Sequence, residues 1–277
     1  MATQTCFHHP DRETGRACTR CGRPACPECL IQASVGSHCW QCVKAAAPPR
    51  SQMVKQRLNS GQLIVAPLII AITVGFFVVT AIADGGIGGT GPMSSDLALY
   101  GPAVADGQYY RLLSHAVVHY GPLHLFFNMF ILYLVCQFLE PVMGIPRVLL
   151  VYLVSILGGA AGALLLDPHA FTGGASGGVF GLAAAATLAH TRAGTTFWQT
   201  QFGPLLAINV ALSFAISGVS LGGHLGGLVA GLLATETFLQ SRRINQPVLG
   251  WIGAVAVGVI AVVVAISVAP SAVPIPR

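Results

Sequence analysis

The stretch Gly173-Gly174-Ala175-Ser176-Gly177-Gly178-Val179-Phe180-Gly181 runs on through Leu182-Ala183-Ala184-Ala185-Ala186, with no ionisable side chain before His190. It reads as an apolar helix made of small residues, with one serine at its start. Small residues let helices approach closely where lipid gives no hydrophobic drive for association. The same texture recurs on both sides. Apolar runs at 63–83, 123–140, 146–166, 176–191, 203–220, 223–240 and 249–269 give seven candidate spans. A helix of about 20 residues crosses a hydrocarbon core of about 30 Å. Lipid cannot satisfy the free backbone groups of an open sheet, so these runs are helices. The predicted fold class is an all-α polytopic membrane helix bundle. Six helices form a core over 63–240, and 241–277 hold a seventh helix and a tail.

Composition supports a membrane protein. Of 277 residues, 54% are hydrophobic and 8% charged, against about 25% charged in soluble domains. The net charge of +5 is concentrated near the N-terminus and reads as topology, so no nucleic-acid partner is expected. Lys44, Arg50, Lys55 and Arg57 precede the first span, Arg147 follows the second, Arg192 the fourth, and Arg242 and Arg243 the sixth. The opposite side has only Arg111 and Arg277. This asymmetry predicts a multi-pass protein of the plasma (cytoplasmic) membrane, with its N-terminus in the cytoplasm and 84–121 as a long outer loop. The first forty residues contain no apolar run, so no signal peptide is expected.

Residues 1–43 are different. Seven of the eight cysteines lie between Cys6 and Cys42. The pairs Cys6-x2-His9, Cys18-x2-Cys21, Cys26-x2-Cys29 and Cys39-x2-Cys42 supply eight ligands, enough for two tetrahedral zinc ions. Gly22 and Pro24 sit where a chelating knuckle would turn. His8 can substitute for His9, and His38 can compete with Cys39. Sites closed by four protein ligands keep no open position, so both zincs are structural. Residues 44–62 read as a basic linker.

The helical part carries the chemistry. A serine hydroxyl becomes a nucleophile only when a base takes its proton. His224, in Gly222-Gly223-His224-Leu225-Gly226-Gly227, is the base candidate. His224, Gly227 and Gly231 share one helical face, and Gly177 and Gly181 form G-x-x-x-G on the serine helix. Small residues on both faces permit the approach that a serine–histidine hydrogen bond needs. His124 and Asn128 lie four apart, hence on one face. With the Ser176 backbone N–H they can stabilise the oxyanion of acyl transfer. A metal reading of His115, His119 and His124 is disfavoured, because no H-E-x-x-H motif or intramembrane carboxylate accompanies them. No cofactor is expected for catalysis. Glu140 is read as structural, capping a loop or pairing with Arg147. Asn209 and Glu236 are read as polar glue or cavity-facing groups, and Cys136 as core.

These motifs together resemble those of the rhomboid family of intramembrane serine proteases. The matching pieces are Gly174-Ala175-Ser176-Gly177, His224-x2-Gly227-x3-Gly231, His119 with His124-x3-Asn128, and Leu139-Glu140-x3-Gly144. The resemblance implies a rhomboid-like six-helix core with Ser176 as nucleophile, His224 as general base, and His124 and Asn128 as oxyanion donors. It puts His119 near the water-facing mouth and 249–269 as an extra C-terminal span. The dyad has no aspartate partner. Phe180 stands where many members have a tyrosine stacked on the histidine, and Tyr110-Arg111 where many have Trp-Arg. The implied substrates are single-span membrane proteins, cut near the outer face of the lipid bilayer from a site open to the outside. Residues 1–43 resemble a B-box-type zinc finger. That resemblance implies Cys6, His9, Cys26 and Cys29 on one zinc, and Cys18, Cys21, Cys39 and Cys42 on the other. The module's expected role is to recruit a cytoplasmic protein partner, to sense redox or zinc status, or to anchor the chain. The alternative reading is a non-catalytic rhomboid-like protein that binds and escorts membrane clients.

Overall fold

A computed structural model describes residues 4–33, 36–46, 63–215 and 218–270. It divides into two units, Met1–Gln62 and Leu63–Arg277. Most of the expected basic linker (47–62) and the tail 271–277 lie outside the described residues.

The first unit is built from two antiparallel ribbons. β1 (Gln4–Thr5) pairs with β2 (Glu13–Thr14), and β3 (Leu30–Gln32) pairs with β4 (Ser37–Cys39). A short helix, α1 (Trp40–Ala46), follows. Its apolar core is small: Cys6, Ala25, Cys26 and Cys29 are buried, with Phe7 and Leu30 against them.

The second unit is helical. α2 (Val65–Ala83), α6 (Pro122–Met143), α7 (Ile145–Leu166) and α11 (Pro247–Val268) are long and apolar enough to cross a membrane. α8 (Ser176–Arg192) has 17 residues and α10 (Leu221–Arg243) carries Glu236, Arg242 and Arg243. Both lie within the bundle, α10 packed against α7, α8 and α11, so they are judged by packing more than by hydropathy. In α8, every residue from Gly177 to Thr187 is buried. α9 (Phe202–Ala215) ends before the position 220 expected from the apolar run. Gly218 has φ +85°, and the Ser220 hydroxyl accepts from the Gly223 N–H at 3.1 Å to cap α10. The run of apolar character continues through that turn, which is why hydropathy alone overshot.

Glycine contacts set the helix register. A methyl carbon placed on Gly227 would fall 2.7 Å from Gly177 Cα, and one on Gly231 would collide with the Gly181 backbone. These paired positions rise together, so α8 and α10 run parallel. A methyl on Gly226 would lie 3.0 Å from Gly162 Cα, and one on Gly158 would meet Gly226 and Ala230. Here the numbers run in opposite directions, so α7 and α10 are antiparallel. Gly231→Leu must push α8 and α10 apart, which overpacking data put at about 1–3 kcal/mol or more. A lower unfolding temperature in detergent is the expected result. Val229→Leu, at a site 51% exposed, is the control and is expected to change stability by less than about 0.5 kcal/mol.

Glu140 has a specific task. Its carboxylate accepts the N–H groups of Ile64 (2.7 Å), Val65 (3.0 Å) and Ala66 (3.2 Å). The first N–H groups of a helix lack intrahelical partners and carry the positive end of its dipole. Glu140 therefore caps α2 rather than pairing with Arg147. Arg147 donates to the Met143 carbonyl at 2.9 Å and lies over the Phe238 and Trp251 rings.

The segment between α2 and α6 is folded, into α3 (Pro92–Leu97), α4 (Gly101–Ala105), α5 (Arg111–Ser114) and a 3-10 turn at His115–Val117. Asp84 accepts from the N–H groups of Met93 (2.8 Å) and Ser94 (3.0 Å) and from the Ser94 hydroxyl (2.6 Å). That hydroxyl, with the two N–H groups, holds the Asp84 carboxyl below its ordinary range. Arg111, 5% exposed, donates to the carbonyls of Ser95 and Ala98, each at 2.6 Å. The segment thus forms a fixed platform, and Leu99 bridges antiparallel to Thr172 just ahead of the serine.

Candidate active site and metal-ligand clusters

Ser176 is the first residue of α8. The loop that delivers it is pinned from the platform. Gly174 N–H donates to the His115 carbonyl at 2.9 Å, Ala175 N–H to His119 Nε2 at 3.4 Å, and Tyr120 Oη to the Phe171 carbonyl at 3.0 Å. His119 is 2% exposed. It is a buried support for the serine loop. A free N–H at position 175 needs an acceptor when buried, and the imidazole supplies one.

His124 lies beside the serine. Its Nδ1 accepts the Tyr120 N–H at 3.3 Å, so its proton resides on Nε2, a donor. A methyl carbon placed on Gly174 would lie 3.0 Å from His124 Nε2 and 3.7 Å from Ser176 Oγ. Gly174 also has φ +133°, a conformation that L side chains rarely adopt. The absence of a side chain at Gly174 thus lets the His124 ring lie close against the serine loop, its Nε2 on the same side as Ser176 Oγ. Asn128 is buried on α6 and donates Nδ2 to the His124 carbonyl at 2.9 Å, keeping its second N–H. Gly174→Ala would drive a methyl against the His124 ring, 2.9 Å from Cε1, and displace that donor. If acyl transfer occurs there, turnover should fall by about 10²- to 10³-fold, the usual cost of a lost oxyanion donor, with substrate binding little changed.

His224 sits in the first turn of α10, its N–H bonded to the Ser220 carbonyl at 3.1 Å. Because α8 and α10 run parallel, Ser176 and His224 lie at the same end of the bundle. Phe180 stacks on the His224 ring with centroids 4.0 Å apart and planes 15° apart. A phenyl ring therefore provides the stack without a hydroxyl. Ser213 Oγ lies 2.6 Å from His224 Nδ1. No hydrogen bond joins Ser176 to His224 among the described residues. Such bonds are often long before substrate binds. Glu236 is ion-paired with Arg192 at 2.6 Å, and Asn209 donates to the Leu205 carbonyl at 2.8 Å.

Three features escaped sequence reasoning. Ser213 is one polar residue in an apolar run, and no motif marks its distance from His224. The close approach of Gly174 to the His124 ring needs a backbone angle to be seen. The packing of Gly158, Gly159 and Gly162 of α7 against α10 joins positions some sixty residues apart, which no local pattern marks.

In the first unit, the ligand atoms of Cys6, His9, Cys26 and Cys29 lie within 4.8 Å of one another, as do those of Cys18, Cys21, Cys39 and Cys42. His9 Nδ1 is 4.0, 3.5 and 3.4 Å from the sulfurs of Cys6, Cys26 and Cys29. The Cys21 and Cys39 sulfurs are 3.8 Å apart. That matches the edge of a sulfur tetrahedron around an ion about 2.3 Å from each ligand. His8 instead lies against the Trp40 ring at 5.8 Å, and His38 is on β4 outside both clusters. Cys39 N–H donates to Cys18 Sγ at 3.2 Å and holds that thiol down at about 6. Contacts with the Cys21 and Cys39 sulfurs push Cys42 up to about 12. Four sulfurs gathered this closely are a donor set suited to a soft divalent cation. Both clusters can hold a metal ion.

Ser176 at the N-terminus of α8 and the ring-stacked His224 in the first turn of α10 thus lie at one end of the helix bundle, as the rhomboid resemblance of the motifs leads one to expect. Comparison with known proteins points the same way. Residues 106–241 match the Rhomboid domain. The chain is 38% identical over 84 residues to the rhomboid-type protein YdcA of Bacillus subtilis (strain 168), covering 30% of this chain and 42% of that one. It is 37% identical over 78 residues to rhomboid protease GluP of the same organism, covering 28% of this chain and 15% of GluP. It is 40% identical over 97 residues to RHOMBOID-like protein 2 of Arabidopsis thaliana, covering 33% of this chain and 31% of that protein. The matches span less than half the length of each of these relatives. Together they support the rhomboid family for the helical unit and an integral multi-pass membrane protein.

Proposed function

We propose that the helical unit is an intramembrane serine endopeptidase acting on single-span membrane proteins. The observation that carries this reading is that Ser176 at the start of α8 and the Phe180-stacked His224 in the first turn of α10 lie at one end of two closely packed parallel helices, with His124 Nε2 beside the serine loop at Gly174. In the reaction, His224 Nε2 takes the Ser176 hydroxyl proton as Oγ attacks the scissile carbonyl carbon. The carbonyl oxygen becomes an oxyanion, stabilised by His124 Nε2–H, the Ser176 N–H and Asn128. Two parallel helix N-termini, α8 and α10, add positive potential at the same end. The tetrahedral species collapses, and His224 gives the proton to the leaving amine. Water, activated by the same histidine, then frees the acyl fragment and restores Ser176.

A substrate helix hides its carbonyls in intrahelical hydrogen bonds, so the cut segment must unwind. Glycine costs a helix about 1 kcal/mol relative to alanine, which favours small or helix-breaking residues at the cut. The charge pattern puts the active site towards the outside and the N-terminal unit in the cytoplasm, in the plasma membrane. That unit is read as a module holding two structural zinc ions, through Cys6, His9, Cys26 and Cys29 and through Cys18, Cys21, Cys39 and Cys42. Its role is read as recruiting a cytoplasmic protein, sensing redox or zinc status, or anchoring the chain.

The test uses the full chain in liposomes with a single-span substrate carrying Gly-Ala residues at its outer end. Cleavage within about two turns of that end is expected, slowed when leucines replace the small residues. An intact substrate would refute the peptidase reading and favour an escort that binds membrane clients without cutting them.

A further inference from the structure

We infer that Ser213, on α9, is the positioning residue for His224: it fixes the imidazole in the tautomer that can act as a base. The inference rests on the peptidase reading above and adds a residue to it.

Ser213 Oγ has two partners. It lies 2.8 Å from the Asn209 carbonyl and 2.6 Å from His224 Nδ1. A hydroxyl has one proton and two lone pairs, whereas a carbonyl oxygen only accepts. The hydroxyl proton therefore goes to Asn209. Towards His224 the oxygen can then only accept, so the imidazole proton is on Nδ1. That leaves the Nε2 lone pair unprotonated, and Nε2 is the atom that must take the Ser176 proton. The reverse assignment would break the Asn209 bond and put a proton on Nε2, leaving no base.

The two contacts divide the work. Phe180, stacked at 4.0 Å, fixes the plane of the ring. Ser213 fixes its rotation within that plane. When Nε2 gains the proton, the imidazolium is stabilised at Nδ1 by an oxygen already polarised through its bond to the Asn209 carbonyl. Acidic side chains on the long helices are committed elsewhere: Glu140 to the N–H groups of α2 and Glu236 to Arg192. The chain Asn209 carbonyl, Ser213 hydroxyl, His224 thus takes the place that a carboxylate fills in a three-residue arrangement.

The experiment compares Ser213→Ala, Ser213→Thr and Ser176→Ala in the full chain. It reads cleavage of the single-span substrate and the ¹⁵N spectrum of histidine-labelled protein. Ser213→Ala should lower kcat by about ten- to a hundredfold, as loss of a hydrogen bond to a group that becomes charged does. KM should change by less than about twofold, because Ser213 does not touch substrate. Ser213→Thr, which keeps the hydroxyl, should restore most of the rate. Wild-type His224 should show the Nδ1-protonated signature, and Ser213→Ala a mixture of tautomers. A merely structural role would move the unfolding temperature without moving that signature. The inference is overturned if wild-type His224 carries its proton on Nε2, or if Ser213→Ala cleaves at the wild-type rate while Ser176→Ala is inactive. Continued cleavage by Ser176→Ala would instead remove the peptidase reading itself.

Discussion

Ser176→Ala and His224→Ala will each reduce cleavage of a reconstituted single-span substrate by about 10⁴- to 10⁶-fold, and the double variant will lose no more than either alone. The two side chains act as one unit. Without its base, the hydroxyl is not a nucleophile at neutral pH. Without the hydroxyl, the base has nothing to activate but water. The residual rate should come from the groups that remain, His124, Asn128 and the α8 N-terminus, which still bind the carbonyl oxygen. Folding should be little affected by Ser176→Ala, because Ser176 Oγ makes no structural hydrogen bond among the described residues. His224→Ala also loses the Phe180 stack and the Ser213 bond, so its unfolding temperature should fall. Additive losses in the double variant would mean that the residues act in separate steps.

Removing metal will unfold the N-terminal unit and leave the helical unit intact. The first unit has a core of four small buried residues with two partners. Ordering a backbone costs roughly 1–2 kcal/mol per residue, and so few apolar contacts cannot offset that over some forty residues. Structural zinc supplies about 10–16 kcal/mol in comparable small modules. We therefore expect two zinc ions per chain. A strong chelator should make residues 4–46 sensitive to protease while the helical unit keeps its unfolding temperature. Cys26→Ser should leave one zinc, and Cys26→Ser with Cys39→Ser none. One metal ion in the wild-type chain, or a chelated unit that still resists protease, would contradict the eight-ligand arrangement.

Much of this was written in the sequence, for physical reasons. A membrane-crossing helix needs a long apolar run, so α2, α6, α7 and α11 were found to within two or three residues. The starts of α8 and α10 were legible because Gly173-Gly174 precede the one and Gly222-Gly223 open the other. Paired glycines in Gly177-x3-Gly181 and Gly227-x3-Gly231 announced a close helix contact, and Gly177 meets Gly227 there. Other features depend on contacts between residues far apart in the chain. Glu140 reaches the start of α2 across more than seventy residues, and no local pattern distinguishes that from a bond to nearby Arg147. The resemblance of His119 to a position near the water-facing mouth says nothing of its partner, the Ala175 N–H more than fifty residues away. Ser213 has no motif around it. It becomes visible only when the Asn209 carbonyl and His224 are seen on either side of one oxygen.

The central claim is that the Ser176 hydroxyl is activated by His224. Its most direct measurement is mass-spectrometric mapping of the residue modified by a fluorophosphonate in the full chain. The account predicts modification at Ser176 alone, at a rate that falls at least a hundredfold in His224→Ala. Modification elsewhere, none at all, or equal labelling of Ser176 with and without the histidine would contradict it.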